Sequence, residues 1–166
     1  MSEARTMEGA RPLVRLGLGV ALAWVVLDQA VKWWILEVVM QPPRVIEVTS
    51  YFNLVMAWNR GVSFSLFANE AAIMPYALSA LAAVIVLFLL NWLRRADRAF
   101  TAICLGLVIG GAIGNVIDRL RFGAVADFLD FHAMGYHYPA FNVADMGISV
   151  GVVLLLLDGL FSRRGA

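Results

Sequence analysis

Between Gly106 and Ile148, two nearly uncharged apolar runs flank a short polar segment, and this stretch holds Asp118, Arg119, Asp127, Asn142 and Asp145. From Leu107 the chain reads LVIGGAIGNVIDRLRFGAVADFLDF, and from Ala140 it reads AFNVADMGISVGVVLLLL. Ionisable groups beside such apolar segments are costly and mark functional positions. Two carboxylates a few ångströms apart in a low-dielectric setting cannot both be charged, so they share a proton. Sharing gives one acid and one base at the same pH, which is what attack of water on an amide requires. Asp127 and Asp145 are the candidate pair. Two other readings stay open from the residues alone: a structural ion pair with Arg119 or Arg121, and a proton relay through Asp28, Asp118 and Asp145 in a small proton-coupled membrane transporter.

Other polar residues carry weaker signals. Asp28 and Lys32 are four apart, so they can pair on one helix face. Asp118 beside Arg119 reads as an anchor at a helix end, with a second role in orienting the pair. His132 and His137 are five apart and lack the glutamate and spacing of a zinc-protease helix, so no metal site is expected. No cofactor-binding pattern is apparent. Cys104 is the single cysteine and sits in an apolar run, where it reads as a small packing residue.

What must position these groups is a membrane bundle. The chain is 61% hydrophobic and only 15% charged, with mean hydropathy +0.79, against about 45 to 50% apolar residues in soluble domains. A net charge of +1 gives no reason to invoke nucleic acid. Counting against the roughly 20 apolar residues needed to cross a bilayer gives four spans in a single membrane domain, at about 13–39, 71–93, 99–120 and 140–161. Arg5, Arg11 and Arg15, then Arg94, Arg95 and Arg98, then Arg163 and Arg164 fall on one side. The positive-inside rule makes that side cytoplasmic, with both termini inside. The segment at about 41–70 and the connection 121–139 lie on the opposite side. Asp145 enters the fourth span by about five residues, roughly 8 Å below its outer end, where water can reach it.

In the outer segment, Ile46 and Val48 alternate with Glu47 and Thr49, and Phe52, Leu54, Met56 and Trp58 follow at period two. This predicts two short paired strands ending in a turn at Asn59-Arg60-Gly61. Val62 to Ala68 reads as a short amphipathic surface helix. Gly106, Gly110 and Gly114, with Gly147 and Gly151, line helix faces at four-residue spacing, which predicts close packing of the third and fourth spans.

Five phrases then occur in order: Asp28-Gln29-x-x-Lys32, Asn59-x-Gly61-x-x-Phe64, Gly110-Gly111-Ala112-x-Gly114-Asn115-x-x-Asp118-Arg119, Val125-x-Asp127-Phe128, and Phe141-Asn142-x-Ala144-Asp145. Together they resemble the bacterial lipoprotein signal peptidase family, also called signal peptidase II, from the first span to the fourth. The resemblance implies an all-α polytopic membrane protein with four transmembrane helices, a small extracytoplasmic β-sheet cradling substrate, and a short surface helix. It implies an aspartic endopeptidase of the bacterial cytoplasmic membrane that removes signal peptides from prolipoproteins, cutting before a diacylglyceryl-modified cysteine. Asp127 and Asp145 then match the catalytic pair. Asn115, Arg119 and Asn142 match polar residues that border the pair or hold substrate, and Asp28 and Asn59 match polar residues around the site. Lys32 and Asp118 complete the supporting set. The expected partners are the lipidated precursors and membrane lipids, and the expected state is a monomer. The stretch 130–139 departs from any family phrase.

Overall fold

The computed structural model describes residues 2–61 and 73–162. The surface helix expected at Val62 to Ala68 lies outside the described residues. Helix α1 (Ser2–Trp34) opens into a wider π turn at Ile35–Val39, and strands β1 (Ile46–Thr49) and β2 (Phe52–Asn59) follow. Then come α2 (Met74–Leu93), α3 (Ala99–Phe122), β3 (Val125–Ala133), β4 (Tyr136–His137) and α4 (Val143–Ser162).

Among the described residues, four helical segments are long and apolar enough to cross a membrane: Pro12–Val39, Met74–Leu93, Ala99–Phe122 and Val143–Phe161. These are the expected spans with shifted ends, and the shifts have local causes. The third runs on to Phe122 and stops where Gly123 turns left-handed, at φ 70°, and donates its N–H to Arg119 O at 3.0 Å. The fourth starts late because Phe141 is still paired with β3: its N–H donates to Leu129 O at 3.1 Å, and Leu129 N–H returns to Phe141 O at 2.9 Å.

The sheet is larger than the two strands expected, so the fold is not α alone. Its order is β1-β2-β3-β4, all antiparallel. β1 and β2 pair as anticipated, with Ile46 opposite Leu54, and the turn after β2 forms as Asn59 Oδ1 accepts the Gly61 N–H at 2.8 Å. The segment after α3 is a strand rather than a connecting loop. Val125, Ala126 and Phe128 are all buried, as in a strand covered on both faces, and such a strand has no polar alternation for periodicity to detect. β2 carries an extra residue between Leu54 and Ala57, which sets Ala57 opposite Asp127.

Helix α3 lies at the centre, with Ala102, Cys104, Leu105 and Ile109 buried. Leu89 and Leu93 of α2 and Ala21 of α1 pack into the same core. A second core joins Ile35 and Met40 to Phe128 of the sheet. The third and fourth spans pack closely as expected, but two glycines of the α3 stripe face a different neighbour. A Cβ on Gly106 would lie 2.5 Å from Gly17 O, and one on Gly110 would lie 2.7 Å from Ala21 O, so this face packs on α1. Small residues on α1 match it, and the two backbones touch. The contact of α3 with α4 runs through Gly151 of the expected set, against Cys104 O, and through Gly111 against Ala144 O. Outside the bundle, Leu22, Val26, Val84, Leu87, Phe88, Leu156 and Leu160 are 59–67% exposed, an apolar girdle that hydrocarbon would cover.

Candidate active site

The first turn of α4 is built by its own sequence. Asn142 precedes the helix and accepts the Asp145 N–H on Oδ1 at 3.0 Å, while Asp145 Oδ2 accepts the Asn142 N–H at 3.2 Å. This is a reciprocal capping box with Asn and Asp in place of Ser and Glu. Helix α1 holds the same turn from outside. Asp28 Oδ1 accepts the Ala144 N–H at 2.8 Å, and Trp24 Nε1 donates to Val143 O at 3.1 Å, its ring lying on Gly147.

Asp28 belongs to a wholly buried ionic cluster. Lys32 Nζ sits 2.9 Å from Asp28 Oδ2 and 2.7 Å from Asp118 Oδ2. The Gln29 amide spans the same two carboxylates at 3.1 and 3.0 Å. Asp118 Oδ2 also accepts the Ala126 N–H at 3.2 Å, which fixes the start of β3 next to Asp127. The expected Asp28–Lys32 pair is therefore part of a three-charge group that ties α1, α3, β3 and α4 together. Removing one member would leave a buried charge uncompensated.

The two candidate carboxyls meet across this frame through two asparagines. Asn142 Nδ2 donates to Asp127 Oδ1 at 2.7 Å and to Asn115 Oδ1 at 3.2 Å, and Asn115 Nδ2 donates to Asp145 Oδ1 at 2.7 Å. Asp127 is 2% exposed. Burial pushes its carboxyl up to about 6, an effect reinforced by the Asp145 charge and opposed by the Asn59 and Asn142 side chains. Among the described residues neither carboxylate forms an ion pair, so the reading as a bridge to Arg119 or Arg121 does not hold. Arg121 lies over the Phe122 ring at 4.7 Å. Arg119 donates Nη1 to Asn115 O at 3.3 Å, while its buried Nε has no partner among the described residues.

Asp145 opens on two cavities. One, of about 460 Å³, is walled by Asn59 and by residues 138–141. The other, of about 330 Å³, runs between α2 and α3 past Asn115 and Arg119. A half-buried acid between two grooves, linked to a buried acid that holds its proton up to about 6, is an arrangement that can support acid–base attack on a bound chain.

Comparison with known sequences identifies the family. The family described as Signal peptidase (SPase) II matches residues 20–161. The chain belongs to the signal peptidase II family. It is 45% identical over 145 residues to the lipoprotein signal peptidase of Ralstonia nicotianae, covering 86% of this chain and 83% of that one. It is 45% identical to that of Rhodopseudomonas palustris, covering 89% and 93%. With that of Paraburkholderia phytofirmans the identity is 42%, covering 98% and 99%. Two solved structures, each described as a bacterial membrane enzyme, superpose with TM-scores of 0.74 and 0.75 at 26% identity. They cover 90% and 87% of this chain, and 90% and 92% of their own. Signal peptidase II is a peptidase family, and nothing in the match supports the transporter reading.

All nine polar residues read from the sequence fall in one connected region of this signal peptidase II chain. Asp145 lines both cavities, Asn59 the larger and Asn115 and Arg119 the smaller, while Asn142 and Asp127 lie behind them on the hydrogen-bonded path. Asn59, at the end of β2, stands beside Asp127. Asp28, Lys32 and Asp118 form the frame behind them. Sequence reasoning left out Gln29 and Trp24. Gln29 stood inside one of the five phrases and was its overlooked signal, whereas an apolar helix gives a lone tryptophan no distinguishing mark.

Proposed function

We propose that the chain is an aspartic endopeptidase that removes signal peptides from prolipoproteins, cleaving before the diacylglyceryl-modified cysteine, with Asp127 and Asp145 as the catalytic pair. The single observation that carries this is the continuous hydrogen-bonded path Asp127–Asn142–Asn115–Asp145, which ends on the one acid that lines both cavities. Asp145 meets two N–H donors and takes the proton of the attacking water as its oxygen bonds to the scissile carbonyl carbon. Asp127, buried and holding its proton up to about 6, gives that proton to the carbonyl oxygen. On collapse, Asp145 passes its proton to the leaving nitrogen and the C–N bond breaks. The diol oxygen returns a proton to Asp127. Arg119 lines the smaller cavity beside Asp145 and is placed there to hold a substrate carbonyl.

In this reading Arg94, Arg95 and Arg98 face the cytoplasm together with both chain ends, and the sheet and site lie toward the outer face. Support comes from Arg98, which pairs with Asp158 at 2.8 Å near the far end of α4, about 20 Å along the helix from Asp145. The lipid on the precursor cysteine holds the scissile bond at headgroup level, where the first turn of α4 would meet it. Both carboxyls come from one chain, so a monomer suffices. Incubating purified protein with a diacylglyceryl-modified precursor and its unlipidated twin tests the proposal. Only the first should be cut, and Asp127→Asn and Asp145→Asn should each abolish cutting in a folded protein. Full activity in either variant sinks the assignment.

A further inference from the structure

One buried acid takes no part in this chemistry. Asp130, 6% exposed, lies three residues beyond Asp127 on β3, so strand alternation turns it to the opposite face. Both its oxygens lie 2.9 Å from His137 Nδ1, and Oδ2 accepts from Asn53 Nδ2 at 3.1 Å. The hydrogen bond to His137 is the main reason its carboxyl is held below the usual range. The His132 ring stacks on His137 with centroids 4.9 Å apart. Three strands thus converge on one carboxylate.

The chain leaves His137 directly into residues 138–141, which wall the larger cavity beside Asp145. β4 is only two residues long, and His137 is 55% exposed. So short a strand has little ladder to hold its register. Tyr138 N–H donates to Phe131 O at 2.8 Å, and beyond it the wall rests on Phe141, stacked on Phe131 with centroids 5.9 Å apart.

We propose that the His137–Asp130 pair is the clamp that sets this wall, making both positioning residues for precursor binding rather than for bond cleavage. The clamp needs only a proton on Nδ1, whichever charge the ring carries. An asparagine at 137 would offer its amide nitrogen at nearly the same place, whereas phenylalanine would keep the stacking on His132 and lose the donor.

The inference rests on the peptidase reading, and the test separates the two. Steady-state cleavage of a diacylglyceryl-modified precursor should show KM raised about tenfold in His137→Phe, the size expected for one charge-assisted hydrogen bond, with kcat within about twofold. His137→Asn should restore the wild-type KM, and Asp130→Asn should resemble His137→Phe. Hydrogen exchange at the Tyr138 amide should quicken in His137→Phe and not in His137→Asn. That readout stands whether or not the protein cleaves anything. An unchanged KM in His137→Phe, a His137→Asn variant as impaired as His137→Phe, or unaltered exchange overturns the clamp. A wild-type protein that leaves the precursor intact overturns the peptidase reading instead.

Discussion

Asn142 and Asp145 each satisfy the other's backbone, Asn142 Oδ1 accepting the Asp145 N–H at 3.0 Å and Asp145 Oδ2 accepting the Asn142 N–H at 3.2 Å. A helix cap and a candidate catalytic acid are therefore the same structure. Asn142→Ala should lower helix stability by about 1 kcal/mol through the lost cap. It should also remove the bond to Asp127, so that cleavage falls far more than that cost explains. Thermal unfolding in detergent, set beside kcat, separates the two effects. A loss of activity no larger than the loss of folded protein would reduce Asn142 to a cap.

Asp127→Asn should be inactive, by roughly 100- to 10,000-fold, and yet more resistant to unfolding at pH 8. Burial raises this carboxyl from its ordinary 3.8 to about 6, so the folded state binds the proton more tightly than the unfolded chain does. The stabilisation is whole below pH 3.8 and is lost as pH rises through about 6. Above that, the wild type carries a penalty of about 3 kcal/mol, to order of magnitude, which the amide escapes. Unfolding midpoints at pH 4 and pH 8 should show the variant's advantage only at the higher pH.

Lys32→Met should leave Asp28 and Asp118 facing each other without their cation, at a cost of about 3 to 5 kcal/mol. Adding Asp118→Asn should recover part of that cost, because one of the two stranded charges is then gone. A double-mutant cycle on unfolding free energy measures the recovery. Additive losses would mean that the lysine and Asp118 do not share one cluster.

Gly110→Ala and Gly159→Ala make a matched pair. A Cβ on Gly110 would sit 2.7 Å from Ala21 O and 2.9 Å from Trp24 Cβ, both on α1, whereas one on Gly159 meets nothing within 4 Å. The first should destabilise by about 1 to 3 kcal/mol through overpacking, and the second should stabilise by about 0.5 to 1 kcal/mol through helix propensity. Parallel unfolding curves decide the sign of each.

The spans, the β1–β2 pairing and the acids of the site could be read in the chain because each rests on local chemistry: unbroken apolar length, period-two alternation, and ionisable groups where they are costly. Asn59, Asn115 and Asn142 enter the site only through the resemblance of their phrases to a family. β3 could not be read that way. A strand buried on both faces loses the alternation that marks it, and Val125-Ala126-Asp127-Phe128 resembles the tail of the helix before it. The contact of Gly106 and Gly110 with α1 was equally hidden, since spacing shows that one face is small but not which helix meets it. Lys32 stood out through Asp28 four residues away, whereas its link to Asp118 on another helix exists only once α1 and α3 are packed.

Because Asp145 looks into two separate grooves, a blocking compound need occupy only one of them. Two molecules of unrelated shape, one in each groove, would contend for the same acid. Resistance arising through a changed wall on one side would then leave the other entrance fully open to treatment.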